Sequence, residues 1–71
     1  MNILIFKTDI ANRWHYSSAR KVLERVPGIL RWTVDIEDID HVLRIESINL
    51  APKNIESVLG QAGYYCEEMT D

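Results

Sequence analysis

Apolar and polar residues alternate along several stretches of this chain with the period of two that is typical of β-strands. The alternation runs over residues 4–10, is strictest over residues 30–36, and resumes over residues 41–47. A polar turn, Asp38–Asp40, joins the last two stretches and predicts that they form an antiparallel hairpin. Residues 64–69 predict a fourth strand.

Two other segments carry apolar residues at the spacing i, i+3, i+4, i+7 that is typical of an amphipathic helix. The stripe of the first segment is Ala19, Val22, Leu23 and Val26. This helix ends at residues 27–28, and it begins either at Asn12, a favourable N-cap, or at Ser17 or Ser18. The stripe of the second segment is Ile55, Val58, Leu59 and Ala62. Pro52 suits the first turn of this second helix.

The order strand, helix, strand, strand, helix, strand predicts an α+β domain with the ferredoxin-like βαββαβ fold. In this fold a four-stranded antiparallel sheet carries two helices on one face, and right-handed crossovers place strands one and three in the centre. We expect residues 1–71 to form one such domain. The predicted core combines both helix stripes with these residues: Leu4, Phe6, Ile10, Trp32, Val34, Leu43, Ile45 and Cys66.

Charge and composition exclude several classes of function. The net charge is −3 and the eight basic residues are scattered, which argues against nucleic acid as a partner. The opening apolar run, Ile3–Phe6, is too short for a membrane span or a secretory signal, so we expect a cytoplasmic protein with no membrane insertion. Cys66 is the one cysteine, so no intramolecular disulfide is possible.

Two further kinds of chemistry find no support in the sequence. The acidic stretch Asp35–Asp40 lacks the glycine that a calcium loop needs for its sharp bend, and it is better interpreted as a solvated hairpin turn. The serines and histidines show no spacing that would pair a nucleophile with a base. We therefore predict that the domain is not an enzyme.

Four segments resemble a known family of small metal-carrying domains: Thr8–Ile10, Val22–Ile29, Trp32–Asp35 and Ala62–Tyr64. Together they resemble the end of the first strand, the passage from helix to strand, the second strand and the approach to the fourth strand of the heavy-metal-associated domain. That domain occurs in copper chaperones and in the N-terminal arms of metal-transporting ATPases. The resemblance covers nearly the whole chain and implies the same ferredoxin-like fold.

The metal site of this family is a Cys-x-x-Cys motif between the first strand and the first helix. Alignment without gaps places Asn12 and His15 at the two cysteine positions. Soft Cu(I) favours thiolates, so we predict that the usual copper site is lost and that the domain carries no cofactor. The alternative is a weak site for a transition metal such as copper or zinc, formed by His15 with Asn12 or Cys66.

A binding module without its usual metal site needs another contact surface, and the sequence offers two. One is the loop segment with Arg13, Trp14 and Tyr16, residue types that concentrate binding energy in protein contacts. The other is the open face of strands one and four, with these apolar residues: Ile3, Ile5, Tyr65 and Met69. We expect a protein partner or a second copy of the chain at one of them, unless Trp14 instead folds back to cap the core.

Overall fold

The computed structural model describes residues 1–69 and contains six elements in the predicted order. They are β1 (Asn2–Thr8), α1 (Arg13–Leu23), β2 (Ile29–Val34), β3 (Leu43–Ser47), α2 (Pro52–Gln61) and β4 (Cys66–Glu68). The strands form one antiparallel sheet in the order β2-β3-β1-β4, so β3 and β1 are central. The ferredoxin-like prediction is confirmed, including the strand order. Within residues 1–69, neither helix is long and apolar enough to cross a bilayer.

The core consists of alternate residues of the two central strands and the inward stripes of both helices. Its buried apolar members are Leu4, Phe6, Ile10, Ala19, Leu23, Leu43, Ile45, Ile55 and Leu59. Each large side chain here contributes about 1.5–3 kcal/mol through burial. Trp32, Val34 and Cys66, which we expected in the core, are only half-buried and pack against its margin. They lie on the two edge strands, where the helices cover less of the sheet.

Helix α1 begins at the earlier of the two predicted starts. Asn12 is its N-cap, with extended backbone at φ −155°, and the Asn12 side chain accepts a hydrogen bond from the His15 amide at 2.9 Å. Such a bond satisfies one of the amide groups that the first turn of a helix leaves unpaired. The serines at 17 and 18 therefore lie inside the helix, on its exposed side.

Strand β2 departs from strict alternation. A bulge between Ile29 and Arg31 shifts the register with β3, and Leu30 is 56% exposed instead of facing inward. Ile29 packs against the core in its place. The strand also ends at Val34, earlier than predicted, because the Asp35 carboxylate accepts hydrogen bonds at 3.2 Å from two amide groups of the following turn.

Strand β4 begins only at Cys66, later than predicted. The amide of Tyr64 donates to the Leu59 carbonyl at 2.9 Å, so this residue still belongs to the end of α2. The amide of Tyr65 donates to the Asp9 carboxylate at 2.9 Å rather than to the backbone of β1. Because the amide groups of Tyr64 and Tyr65 have other partners, pairing with β1 starts only at Cys66.

Candidate metal-binding loop and docking residues

Three loops meet at one end of the sheet, which we call the loop end. They are residues 9–12 after β1, residues 35–42 between β2 and β3, and residues 62–65 before β4. The strand register brings them together, because Thr8 at the end of β1 pairs with Cys66 at the start of β4. The amide of Thr8 also donates to a carbonyl of the 35–42 loop at 3.1 Å.

Thr8 is a buried polar residue that connects two of these loops. Its hydroxyl donates to the His41 carbonyl at 2.6 Å and accepts a hydrogen bond from the Ile10 amide at 3.1 Å. These bonds satisfy the hydroxyl, which would otherwise be costly to bury. They also explain why β1 ends here instead of continuing to Ile10, since the Ile10 amide is turned back onto the Thr8 side chain.

Asn12 and His15, the residues at the two cysteine positions, each accept a hydrogen bond from a backbone amide group at the first turn of α1. The Asn12 side chain accepts from the His15 amide, and His15 Nδ1 accepts from the Ala11 amide at 3.1 Å. The neutral imidazole therefore carries its proton on Nε2. The ring also packs edge-on against Tyr64, with centroids 5.7 Å apart. A metal ion at either nitrogen would break the bond from the Ala11 amide: at Nδ1 it would take the place of that amide, and at Nε2 it would require the ring proton to move to Nδ1, which could then no longer accept the bond.

Cys66 is a poor ligand in this position. Its side chain is half-buried, and burial raises the pKa of the thiol to about 12, with smaller contributions from the Glu56 and Asp9 carboxylates. Metals bind the thiolate, which is scarce at neutral pH when the pKa is this high. Within residues 1–69, no group of three or more His, Cys, Asp or Glu side chains is placed to share a metal ion. The loop end thus offers no ready-made ligand set: it holds two imidazoles, His15 at one of the cysteine positions and His41, whose Nδ1 is hydrogen-bonded to the Ile36 carbonyl at 2.9 Å.

Alkylation of Cys66 should be slow because of its raised pKa. At pH 7 to 9 a shift from the ordinary value of 9.0 to about 12 reduces the thiolate population roughly a thousandfold. Because a thiolate of higher pKa is also the stronger nucleophile, the rate with iodoacetamide should fall by about ten- to hundredfold. The rate should still rise about tenfold from pH 10 to pH 11, where a thiol with the ordinary pKa of 9.0 is already largely ionised and its rate has levelled off. A Ser17→Cys variant carries an exposed thiol as the control. Equal rates at the two sites would contradict this prediction.

The predicted docking residues of the loop occupy different environments. Trp14 is 85% exposed, so it does not fold back to cap the core. Tyr16 packs against Trp32 instead, with ring centroids 5.0 Å apart, and both side chains cover the edge of the core. Arg13 is exposed and forms no ion pair with any side chain of residues 1–69. Arg13 and Trp14 therefore present free surface directly beside His15.

The second predicted surface lies on the open face of β1 and β4. Ile3 and Met69 are each 41% exposed, Tyr65 is 48% exposed, and Ile5 is half-buried. The Met69 amide donates to the Ile5 carbonyl at 2.9 Å, so these two residues are cross-strand neighbours. The Tyr65 hydroxyl donates to the Glu67 carboxylate, which raises the pKa of Tyr65. The apolar part of this face is thus formed by Ile3, Ile5 and Met69.

Several solved structures share this fold over nearly the whole chain. The yeast copper transporter domain CCC2A, in the apo and Cu(I)-loaded states, has a TM-score of 0.83 at 12% identity, covering 100% of this chain and 99% of that one. The N-terminal domain of ZntA in the Zn(II) form has a TM-score of 0.79 at 16% identity, covering 96% and 92%. The apo HMA domain of the copper chaperone for superoxide dismutase has a TM-score of 0.80 at 19% identity, covering 96% and 66%. No protein-family model and no curated protein sequence matches the chain.

These structures confirm the resemblance and correct one prediction. The chain has the fold of heavy-metal-associated domains. The prediction that it carries no cofactor is wrong, because the structures that share its fold are copper and zinc domains. The prediction rested on the loss of two thiolates and kept metal binding through the His15 imidazole only as its alternative, although imidazole is a ligand for both copper and zinc.

Proposed function

We propose that this domain is a non-enzymatic module that binds or relays a transition-metal ion, copper or zinc, at the loop end. The observation that carries the proposal is the placement of His15. Its imidazole stands at the first turn of α1 beside the Tyr64 ring, where it would release the Ala11 amide to bind a metal ion, on a scaffold that shares the fold of Cu(I) and Zn(II) domains. A neutral imidazole is an established ligand for either metal.

A single imidazole does not complete the coordination of these metals. Zinc sites in proteins use three or four protein ligands, and tight Cu(I) sites use thiolates. We therefore propose that a partner protein supplies the remaining ligands and that the ion is shared between the two chains. Arg13 and Trp14 flank His15 and are exposed, and they are the side chains that we propose contact this partner.

We also propose a second contact surface for the partner, a cellular location and a role for Asn12. The apolar part of the β1 and β4 face, with Ile3, Ile5 and Met69, is a second surface on which such a partner would rest, and Tyr65 lies at its margin. We propose a cytoplasmic location, where Cys66 would remain a free thiol. Asn12 acts in this proposal as the cap that fixes the start of the helix and thereby the position of His15.

Metal titration of the purified domain tests the role of His15. Because His15 is the one ligand that we propose the domain itself supplies, we expect weak one-to-one binding of Cu(I) or Zn(II), in about the millimolar range, that is weakened by at least about tenfold in His15→Ala, which removes the donor nitrogen. Calorimetry gives the affinity, and the His15 ring resonances in NMR report the site. Quenching of tryptophan fluorescence reports binding next to the loop if it arises from Trp14. A Trp14→Phe variant, in which Trp32 alone fluoresces, shows how much of the quenching belongs to each residue.

The second histidine of the chain provides a matched control. His41 lies in the 35–42 loop with φ 44°, a left-handed conformation that asparagine tolerates, so His41→Asn removes an imidazole with little strain. This variant should bind metal as the wild-type domain does. Absence of saturable binding, or an equal loss in both variants, would show that His15 is not the ligand.

A further inference from the structure

An open groove lies between the end of α1 and the first half of α2, at the end of the sheet opposite the loop end. It has a volume of about 780 Å³ and is largely open to solvent, so it has room for a side chain of a partner but does not enclose a ligand. Its walls include four apolar residues and two cations: Val26, Pro27, Leu50, Val58, Arg25 and Lys53. Neither cation forms an ion pair with a described side chain. We call this surface the basic groove.

The loop end carries a surface with the opposite charge. Ile39 is 92% exposed and stands in an acidic turn, residues 35–40, between carboxylates that include Glu37, Asp38 and Asp40. Hydrogen bonds of 2.7–3.2 Å from amide groups of the turn to its own aspartates fix its shape. A turn held in this way loses little conformational freedom when it binds, so it is suited to present an apolar side chain to a partner.

The two surfaces are complementary but lie far apart on one molecule. Ile29 pairs with Ser47 beside the basic groove, whereas Val34 pairs with Leu43 beside the acidic turn, so the length of the hairpin separates them. We propose that the acidic turn of one copy of this chain docks into the basic groove of a second copy. Ile39 then enters between the apolar walls, and the carboxylates of Glu37 and Asp38 face the two cations of the groove, since the carboxylate of Asp40 already pairs with Lys7 at 3.6 Å.

The geometry makes this contact heterologous, with a different surface on each side. Each copy keeps a free turn at one end and a free groove at the other, so the association continues head to tail or closes into a ring. Charge pairs on an exposed rim are screened by salt, so the contact should weaken as ionic strength rises. The proposal concerns the metal-free domain and is independent of the role of His15.

Sedimentation velocity on the metal-free domain, with a chelator present, tests the proposal. We expect species larger than the monomer to grow between about micromolar and about millimolar protein at low salt, and to diminish in about 0.5 M NaCl. Ile39→Asp should raise the dissociation constant about ten- to hundredfold, because it removes the buried apolar group and adds a charge. The double charge reversal Arg25→Glu/Lys53→Glu should have a comparable effect, and all three positions are exposed, so folding is preserved.

A mixture of the two variants distinguishes this contact from others. Ile39→Asp keeps its groove and the double reversal keeps its turn, so the mixture should form a one-to-one dimer and nothing larger. Leu30→Asp, at an exposed residue outside both surfaces, is the control that should associate as the wild type does. A domain that stays monomeric up to millimolar concentration would overturn the proposal. The proposal would also be overturned if the mixture of the two variants stayed monomeric. The same holds if Ile39→Asp still associated whereas Leu30→Asp or Ile3→Asp did not.

Discussion

Replacement of Gly28 by alanine should lower the free energy of unfolding by about 3 kcal/mol or more. Gly28 has φ +97°, a backbone conformation that costs an L side chain energy, and an added Cβ would lie 2.7 Å from the Ile48 carbonyl oxygen. The same oxygen cannot move freely, because the Ile48 amide donates to the Gly28 carbonyl at 2.8 Å. In a domain of this size such a loss lowers the midpoint of thermal unfolding by more than about 10 °C, which calorimetry measures.

Substitutions at the other two glycines distinguish the cost of the positive φ at Gly28 from the cost of the close contact with the Ile48 carbonyl oxygen. Gly63 has φ +92° with open space around it, so Gly63→Ala reports the backbone strain alone. Gly60 is helical and also has open space, and Gly60→Ala should raise stability by about 0.5–1 kcal/mol through helix propensity. If Gly28→Ala costs no more than Gly63→Ala, the contact with the Ile48 carbonyl does not contribute and the prediction is wrong.

The order of elements could be predicted from the sequence because periodicity is a local property. Alternation in β1 and β3 and the stripes of both helices depend only on which residues face the core. The inward residues of these two strands are buried, whereas the helix stripes are buried at Ala19, Leu23, Ile55 and Leu59, half-buried at Val22, Val26 and Val58, and exposed at Ala62. The bulge at Leu30 could not be predicted in the same way. The bulge depends on how Ile29 and Arg31 pair with β3. This register is a property of the two strands together and cannot be deduced from the sequence of β2 alone.

The loop end was only partly predictable for a related reason. Asn12 is a recognisable N-cap, but the sequence does not show that the Ala11 amide occupies His15 Nδ1. The sequence also does not show which aromatic residue of the loop packs against the edge of the core. In the structure Tyr16 does so, by contact with Trp32, and Trp14 is exposed. The charges of residues 35–40 predict a solvated turn but do not show that Ile39 stands almost fully exposed within it.

Restoring two cysteines should give this domain tight Cu(I) binding. In an Asn12→Cys/His15→Cys variant the two thiols stand three residues apart at the start of α1, where the helix N-terminus favours thiolates. Two thiolates are the donors that Cu(I) prefers, so we expect the affinity to rise at least about a thousandfold over the wild type. Competition with a chromophoric Cu(I) chelator measures it. Loss of the Asn12 cap should cost about 1 kcal/mol of stability, which leaves the domain folded.

The control for this variant is a pair of cysteines elsewhere on the same helix. Ser17→Cys/Lys21→Cys places two thiols on exposed positions one turn apart, away from the helix start. If only the pair at 12 and 15 gains affinity, the loop still has the shape of a metal site and lacks only its sulfur donors. If both pairs gain equally, or neither gains, then the loop around Arg13 and Trp14 no longer has that shape. His15 would then have to bind metal by a geometry different from that of the copper and zinc domains that share this fold.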